Sequence, residues 1–395
     1  MTAPAPALIS TARKVESKPG MTLCHFSTAH TQLKSRSFHR QCLPLASAGM
    51  NVRYVTPADI KGHRNGVDFV TLKRNQTRVQ SLLAPAALIR ILLGQKANLY
   101  HFQDPELLPL ALALKVIFHK RIVYDAYEDF PSMALNKSSF PPVLRLLAAK
   151  AIAALERLAA HCFDGVMTAD PLTMRRFAHT GKSRKLVFFN FPNLDLFPPP
   201  RPTIKQFDCV YRGGLSARTG VLVLLKAMRL LADRGNPARL LLIGYFDDVL
   251  FEIELRKRIH ELALSANVEL RGRMEHEDMA EALSQARVGV SPLQDIPKFR
   301  LNIPVKIFEY WACGLPVVAS DLPPIRPFFK NVGGGFLYQP TDAAELARSI
   351  SWLLDHPDAA TRMGRNGRSA IVQRFNNRNE IHKLREFFAR VTEAP

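Results

Sequence analysis

The sequence predicts an α/β protein made of two doubly wound, Rossmann-like domains that face each other across a cleft. Three observations predict it. Short apolar runs alternate with segments of helical periodicity from Met21 onward, as in a parallel sheet wrapped by helices. A proline cluster, PNLDLFPPPRP, interrupts the alternation near the middle, after which it restarts. At 395 residues the chain exceeds one ordinary core and suits two.

The elements follow in order. Residues 1–20, rich in Ala, Pro and Ser, read as a flexible tail with no signal peptide. Residues 21–197 read as a first Rossmann-like domain. MTLCHF begins it as a strand, SFHRQCLPLASAG is a helix ending at Gly49, and NVRYVT is a second strand. LYHF and RIVYDA are further strands on either side of the helix ELLPLALALK. VLRLLAAKAIAALERLAAHC has helical spacing over several turns, and GVMT and KLVF close the domain. Residues 198–205 are the proline-rich linker. Residues 206–375 repeat the scheme with strands FDCVYR, ARLLLI, NVEL, VGVS, PVVAS and GFLY. Asp342 followed by Glu345 predicts a capping box there. Residues 376–395 read as a terminal helix expected to pack back toward the first domain.

The composition is globular, 47% hydrophobic and 22% charged. A net charge of +20 favours anionic partners: nucleic acid, lipid headgroups or diphosphate-bearing small molecules. Charge alone does not choose among them. The five cysteines form no CxxC pair, which argues against zinc and a disulfide framework and for reduced, cytosolic thiols. No apolar run reaches the roughly 20 residues of a spanning helix.

Four constellations carry candidate chemistry, and each has a plainer reading. In VYRGGLSARTG, Gly213 and Gly214 end a strand before a helix, with Arg212 and Arg218 in the loop, an arrangement suited to phosphate. An ordinary strand–turn–helix corner is the equal alternative. In IPVKIFEYWACG, Lys306 and Glu309 lie three apart on one helix among apolar residues; the alternative is a surface ion pair. His101, Gln103, Asp104 and Glu106, then Asp125, Glu128 and Asp129, stand at strand ends, where active-site groups sit in this class. For Asp104, capping the helix that begins at Pro105 is the stronger expectation. The stretch STAHTQLKSRSFHRQ gathers His30, Lys34, Arg36, His39 and Arg40, either for an anionic acceptor or as a solvated basic loop. No DxD pair and no histidine cluster with metal spacing is present.

Together, SRSFHRQCLPLASAG, YHFQDPELLPL, VYDAYEDFP, FNFPN, GGLSARTG and above all PVKIFEYWACGLPVVASD resemble the family 4 glycosyltransferases, retaining enzymes of the two-domain GT-B fold. The likeness is to bacterial members that build surface polysaccharide, and it runs from about residue 22 to the end. It implies transfer of a sugar from a UDP- or GDP-sugar, with the donor on the second domain and the acceptor on the first. It implies neither metal nor other cofactor. Lys306, Arg218 and the backbone at Gly213–Gly214 would hold the diphosphate, Glu309 the ribose, and Arg273 part of the nucleotide pocket. His101 and Gln103 would stand near the reacting sugar with Lys306 and Glu309, and His30, Arg36 and Glu128 would meet the acceptor.

This chain departs from the family pattern at four places. Leu301 replaces the first glutamate of Glu-x7-Glu. Gln103 replaces the second histidine of His-x-His-Asp/Glu-Pro. Tyr127 replaces the histidine of His-Glu-Asp, and Thr219 stands where a phosphate-binding Arg or Lys is usual. An active transferase is therefore the leading expectation, acting on a polyprenyl-diphosphate-linked or other saccharide acceptor. It would be cytoplasmic, peripheral on the anionic inner face of the membrane, with no nucleic-acid partner. The helix near 143–163, with Lys150 and Arg157, is a candidate for that contact, with core packing as the alternative. A GT-B protein that only binds a nucleotide sugar or a partner transferase is the second expectation. A nucleotide-sugar epimerase of similar fold is the third.

Overall fold

The computed structural model describes residues 20–28, 35–72, 78–135 and 141–393. Among these, the strands form two sheets. The first contains β1 (Thr22–Phe26), β2 (Asn51–Thr56), β3 (Gly62–Arg64), β4 (Val67–Thr71), β5 (Leu99–Phe102), β6 (Ile122–Ala126), β7 (Gly165–Thr168) and β8 (Lys185–Val187). Its order is β3-β4-β2-β1-β5-β6-β7-β8, parallel except for β3, which pairs antiparallel with β4. The second contains β9 (Phe207–Arg212), β10 (Leu240–Ile243), β11 (Val268–Arg271), β12 (Ala286–Ser291), β13 (Val317–Ser320) and β14 (Gly335–Tyr338). Its order, β11-β10-β9-β12-β13-β14, is the 3-2-1-4-5-6 arrangement of a Rossmann sheet, all parallel.

Strands such as LLLI of β10 and VVAS of β13 are buried along their whole length because helices cover both faces of the sheet. Each sheet therefore separates two cores. The first sheet has Tyr100, Phe102, Tyr124 and Phe163 on one side and Leu23, Val123, Met167 and Phe188 on the other. The second has Val210, Phe308 and Trp311 opposite Tyr211, Leu224 and Tyr338.

The chain crosses between sheets over residues 188–206, and Phe191 and Phe197 bury themselves in the second domain's core. Phe191 packs edge-on against Phe308 at 4.8 Å, anchoring the crossing to the helix Val305–Ala312. The last helix, Asn377–Glu393, returns to the first sheet. Its Leu384, Phe387 and Phe388 share the core of Leu23, Val123 and Met167.

Local geometry differs from expectation in three places. The helix expected over SFHRQCLPLASAG is a π-helix, Ser35–Cys42, followed by a short α-helix, Leu43–Ser47. The i→i+5 winding brings Arg36 and Gln41 to one partner, Asp125, and Pro44 withholds an N–H where the regular helix begins. Asp104 occupies the position before Pro105, but its carboxylate does not cap that turn. It accepts from the Ser27 hydroxyl at 2.5 Å and the Thr28 N–H at 3.3 Å, tying β5 to the end of β1. Only half of the Asp342 capping box forms: Asp342 accepts from the Glu345 N–H at 2.8 Å, while the Glu345 carboxylate accepts from Gln339.

Candidate functional site

Ligands of open parallel sheets bind beyond the carboxyl ends of strands, at the point where strand order reverses. That point lies between β1 and β5 in the first sheet and between β9 and β12 in the second. Residues of the two points meet across the cleft, where Arg40 of the first domain reaches Glu309 of the second.

On the second domain, β9 ends in Arg212, Gly213 and Gly214. Gly213 has φ +142°, and a Cβ there would stand 2.9 Å from the Lys306 Nζ. Glycine thus lets the lysine lie against the backbone. Lys306 comes from the first turn of the helix Val305–Ala312, where the helix dipole opposes a cation. Its ammonium instead rests 4.0 Å from the centre of the Tyr211 ring. Burial, reinforced by Arg212 and opposed by Glu309, pushes its pKa down to about 7.

Glu309, on the same helix, is 1% exposed, so the solvated surface pair is excluded for this motif. Arg212 holds its Oε2 at 3.0 Å, and Arg40 approaches its Oε1 at 3.6 Å. The Tyr310 hydroxyl accepts from the Arg212 N–H at 2.8 Å and donates to the Val290 carbonyl at 3.2 Å, locking β9, β12 and the helix together. Arg218 is more than half exposed on the rim, paired with Asp247 at 3.1 Å. Arg273 is exposed beyond β11, the edge strand two places from β9, and is not gathered with the others.

On the first domain the ends of β1, β5 and β6 hold a buried network centred on Asp125. Arg36 donates to both its oxygens, at 2.9 and 2.8 Å, and Gln41 and Gln103 add bonds of 2.9 and 2.8 Å. Burial pulls the Asp125 pKa upward, but the charge and hydrogen bonds of Arg36, with His101 and Gln41, outweigh it and hold the carboxyl at about 2. His101 Nδ1 lies 3.0 Å from His25 Nδ1, and its Nε2 is 4.0 Å from Asp125. Burial pushes its pKa down to about 4, Arg36 adding to this and Asp125 opposing it.

These contacts revise several sequence expectations. Arg36 is not an open cation for an acceptor: it is buried, with its remaining donors on the Phe188 carbonyl and Asn190. His101 and Gln103 are likewise buried and face Asp125. Glu128 does reach the cleft, where with Tyr127 and Asn190 it lines a pocket of about 90 Å³ closed from the second domain by Asn302, Ile303 and Val305. His30 lies outside the described residues. Among the described residues no group of three or more His, Cys, Asp and Glu is placed to hold a metal ion.

Two contributors have no assigned role in the sequence reading. Arg212 figures there only as a cation of the VYRGGLSARTG corner, although it ends a strand immediately before the paired glycines. Arg40 was noted only as part of a basic stretch, and nothing in its spacing points to residue 309. Chemically, the second-domain half can take an anion against Lys306, Arg212 and the Gly213 backbone, and Glu309 can accept hydroxyl donors.

Residues 199–370 match the family model of glycosyl transferases group 1. They form a group 1 glycosyltransferase domain. That domain contains Gly213, Gly214, Lys306 and Glu309, whereas Arg40 and the Asp125 network lie outside it. The chain is similar to the amylovoran biosynthesis glycosyltransferase AmsK of Erwinia amylovora, 27% identical over 45% of this chain and 43% of that protein. The chain matches less than half the length of each such curated relative.

Solved structures extend the likeness of fold to the whole chain. Sucrose-phosphate synthase of Thermosynechococcus elongatus superposes with a TM-score of 0.74 at 20% identity, covering 95% of this chain and 100% of that one. HepE of Anabaena in complex with UDP-glucose gives 0.73 at 14% identity, over 93% and 99%. The group 1 domain is thus the second half of a GT-B fold.

Proposed function

We propose that the protein is a retaining glycosyltransferase that moves a sugar from a nucleotide-sugar donor to a saccharide acceptor in polysaccharide or glycolipid synthesis. One observation carries the reading: buried Lys306 and Glu309 converge with the partly exposed Arg212 on the glycine-ended strand β9 at the switch point of the group 1 domain. Transfer breaks the bond between the anomeric carbon and the diphosphate and joins that carbon to an acceptor oxygen. The departing diphosphate gains negative charge, which Lys306, Arg212 and the backbone N–H groups would stabilise without a metal or other cofactor. Glu309 would accept from ribose hydroxyls, as in the family the motif resembles.

The fate of the acceptor proton supports retention. Asp125, held near pKa 2 by its donors, is a poor base. The departing phosphate oxygen is the better proton acceptor, on the same face of the sugar as the incoming hydroxyl. HepE, bound to UDP-glucose, supports a UDP-sugar as the first donor to try.

The acceptor is read as lipid-linked, at the inner face of the cytoplasmic membrane. No helix among the described residues is long and apolar enough to cross a membrane. The helix Pro142–Cys162 exposes Val143, Leu144, Leu146 and Leu147 in its first turns, with Lys150 exposed beside them. Since this helix runs down to the start of β7, those turns lie toward the carboxyl-end rim, the side of Glu128. An apolar surface fringed by cations there suits an anionic bilayer that presents a polyprenyl-diphosphate saccharide.

The second reading, a binding protein without turnover, is kept by Gln103 and Tyr127, which cannot shuttle a proton as histidines do near pH 7. Incubating the full chain with UDP- and GDP-sugars and a crude lipid acceptor separates the two. Nucleotide release that needs the acceptor supports the transferase; donor binding with no release from any pair favours the binding protein.

A further inference from the structure

Arg40 takes no part in the network around Asp125. Its neighbours on the π-helix, Arg36 and Gln41, bind that carboxylate, while Arg40 points the other way, across the cleft. Its backbone carbonyl accepts from Asn377 at 2.8 Å, so the start of the last helix fixes its position. The side chain is 12% exposed, and its guanidinium makes no hydrogen bond to any described residue. Nη2 stops 3.6 Å from Glu309 Oε1, an ion-pair distance beyond a hydrogen bond.

Arg212 already holds the other oxygen, and Lys306 stands beside both. Three cations therefore surround one carboxylate, and the partly buried Arg40 guanidinium keeps its donors free of hydrogen bonds to the described residues. A guanidinium held at the cleft with open donors suits an anion, because its planar fork matches a phosphate with two parallel bonds.

We propose that Arg40 is a diphosphate ligand supplied to the nucleotide site by the opposite domain, so that the site is complete only while the two domains are apposed. The inference rests on the nucleotide-sugar reading of the cleft and adds a residue from outside the group 1 domain. The competing role is obstruction, in which Arg40 merely occupies Glu309 until a ribose displaces it.

The two roles predict opposite signs. Calorimetry on the full chain would compare pyrophosphate, UDP, GDP, uridine and guanosine for the parent, Arg40→Ala and Arg40→Lys. Thermal melting would confirm that each variant folds. Arg40→Ala is expected to weaken pyrophosphate and both nucleoside diphosphates roughly 10- to 100-fold and to leave the nucleosides within about twofold. Arg40→Lys should recover part of the loss, which keeps the test informative if the alanine variant misfolds.

Unchanged diphosphate affinity in Arg40→Ala, or an equal gain for nucleosides and diphosphates, overturns the proposal. Arg40-dependent binding of pyrophosphate with no binding of UDP or GDP upholds Arg40 as the anion ligand and sinks the nucleotide reading instead. A parent that binds no diphosphate at all overturns both.

Discussion

The Lys306 ammonium rests 4.0 Å from the centre of the Tyr211 ring, held there by a glycine whose missing side chain makes the room. Its pKa of about 7 is set by burial and Arg212 against the pull of Glu309. A bound diphosphate would add negative charge and raise that pKa again.

Diphosphate binding should therefore take up a proton at pH 8 and weaken as pH rises above about 7, where free Lys306 is losing its charge. Calorimetry in buffers of different ionisation enthalpy measures the uptake. Lys306→Met should flatten the pH dependence and lower affinity on the order of 10- to 100-fold. Equal slopes in parent and variant would assign the titration to another group.

Glu309 is the counter-charge of Arg212 and Arg40. Removing it as Glu309→Ala leaves these partly buried cations uncompensated, which lowers stability by about 1–3 kcal/mol. Nucleoside affinity should fall at least about tenfold, while pyrophosphate affinity holds or improves. Thermal melts and titrations report both, and undiminished nucleoside binding would remove Glu309 from the ribose site.

The Asp125 network makes the first domain acid-sensitive in two steps. The folded pKa of His101, about 4, lies below its ordinary 6.5, so its contribution is complete above pH 6.5 and is lost as pH falls toward 4. Asp125, at about 2 against an ordinary 3.8, follows: its contribution is complete above 3.8 and lost toward 2. The midpoint of thermal unfolding should fall through both windows, and His101→Asn should flatten the upper one. A variant with the parent's slope between pH 6.5 and 4 would show that His101 is not its source.

The exposed leucines of the helix Pro142–Cys162 give a fourth test. Leu144→Glu with Leu147→Glu should leave the melting temperature within a few degrees, because both side chains already face solvent. Co-sedimentation with vesicles of anionic lipid should fall several-fold. Unchanged sedimentation would place the membrane contact elsewhere.

Strands such as LLLI and VVAS were legible because helices cover both their faces, leaving a run of apolar and small residues with no charge to break it. Gly213, Lys306 and Glu309 were legible because a glycine pair at a strand end and charge inside an apolar helix both ask for a ligand. The hairpin of β3 and β4 was not, since β3 is three exposed residues, GHR, with no apolar alternation. The helix Pro357–Gln373 was also missed, because Gly364 and Gly367 argue against helix by propensity. The fold needs them bare: a Cβ at 364 would lie 2.0 Å from the Gly314 carbonyl oxygen, and one at 367 would lie 2.4 Å from the Trp311 ring. Arg40 was hidden for a different reason. Its partner is 269 positions away, and only the apposition of two sheets brings them together.

The helix Asn377–Glu393 buries Leu384, Phe387 and Phe388 against β1, β6 and β7, strands made long before it. During synthesis the first sheet must wait with part of one apolar face uncovered until residues 384–388 have left the ribosome. The two halves are thus separate in architecture but interdependent in biogenesis. A fragment ending at the proline linker would carry an open hydrophobic face and tend to aggregate, and a stop before Leu384 would disable the half that was translated first.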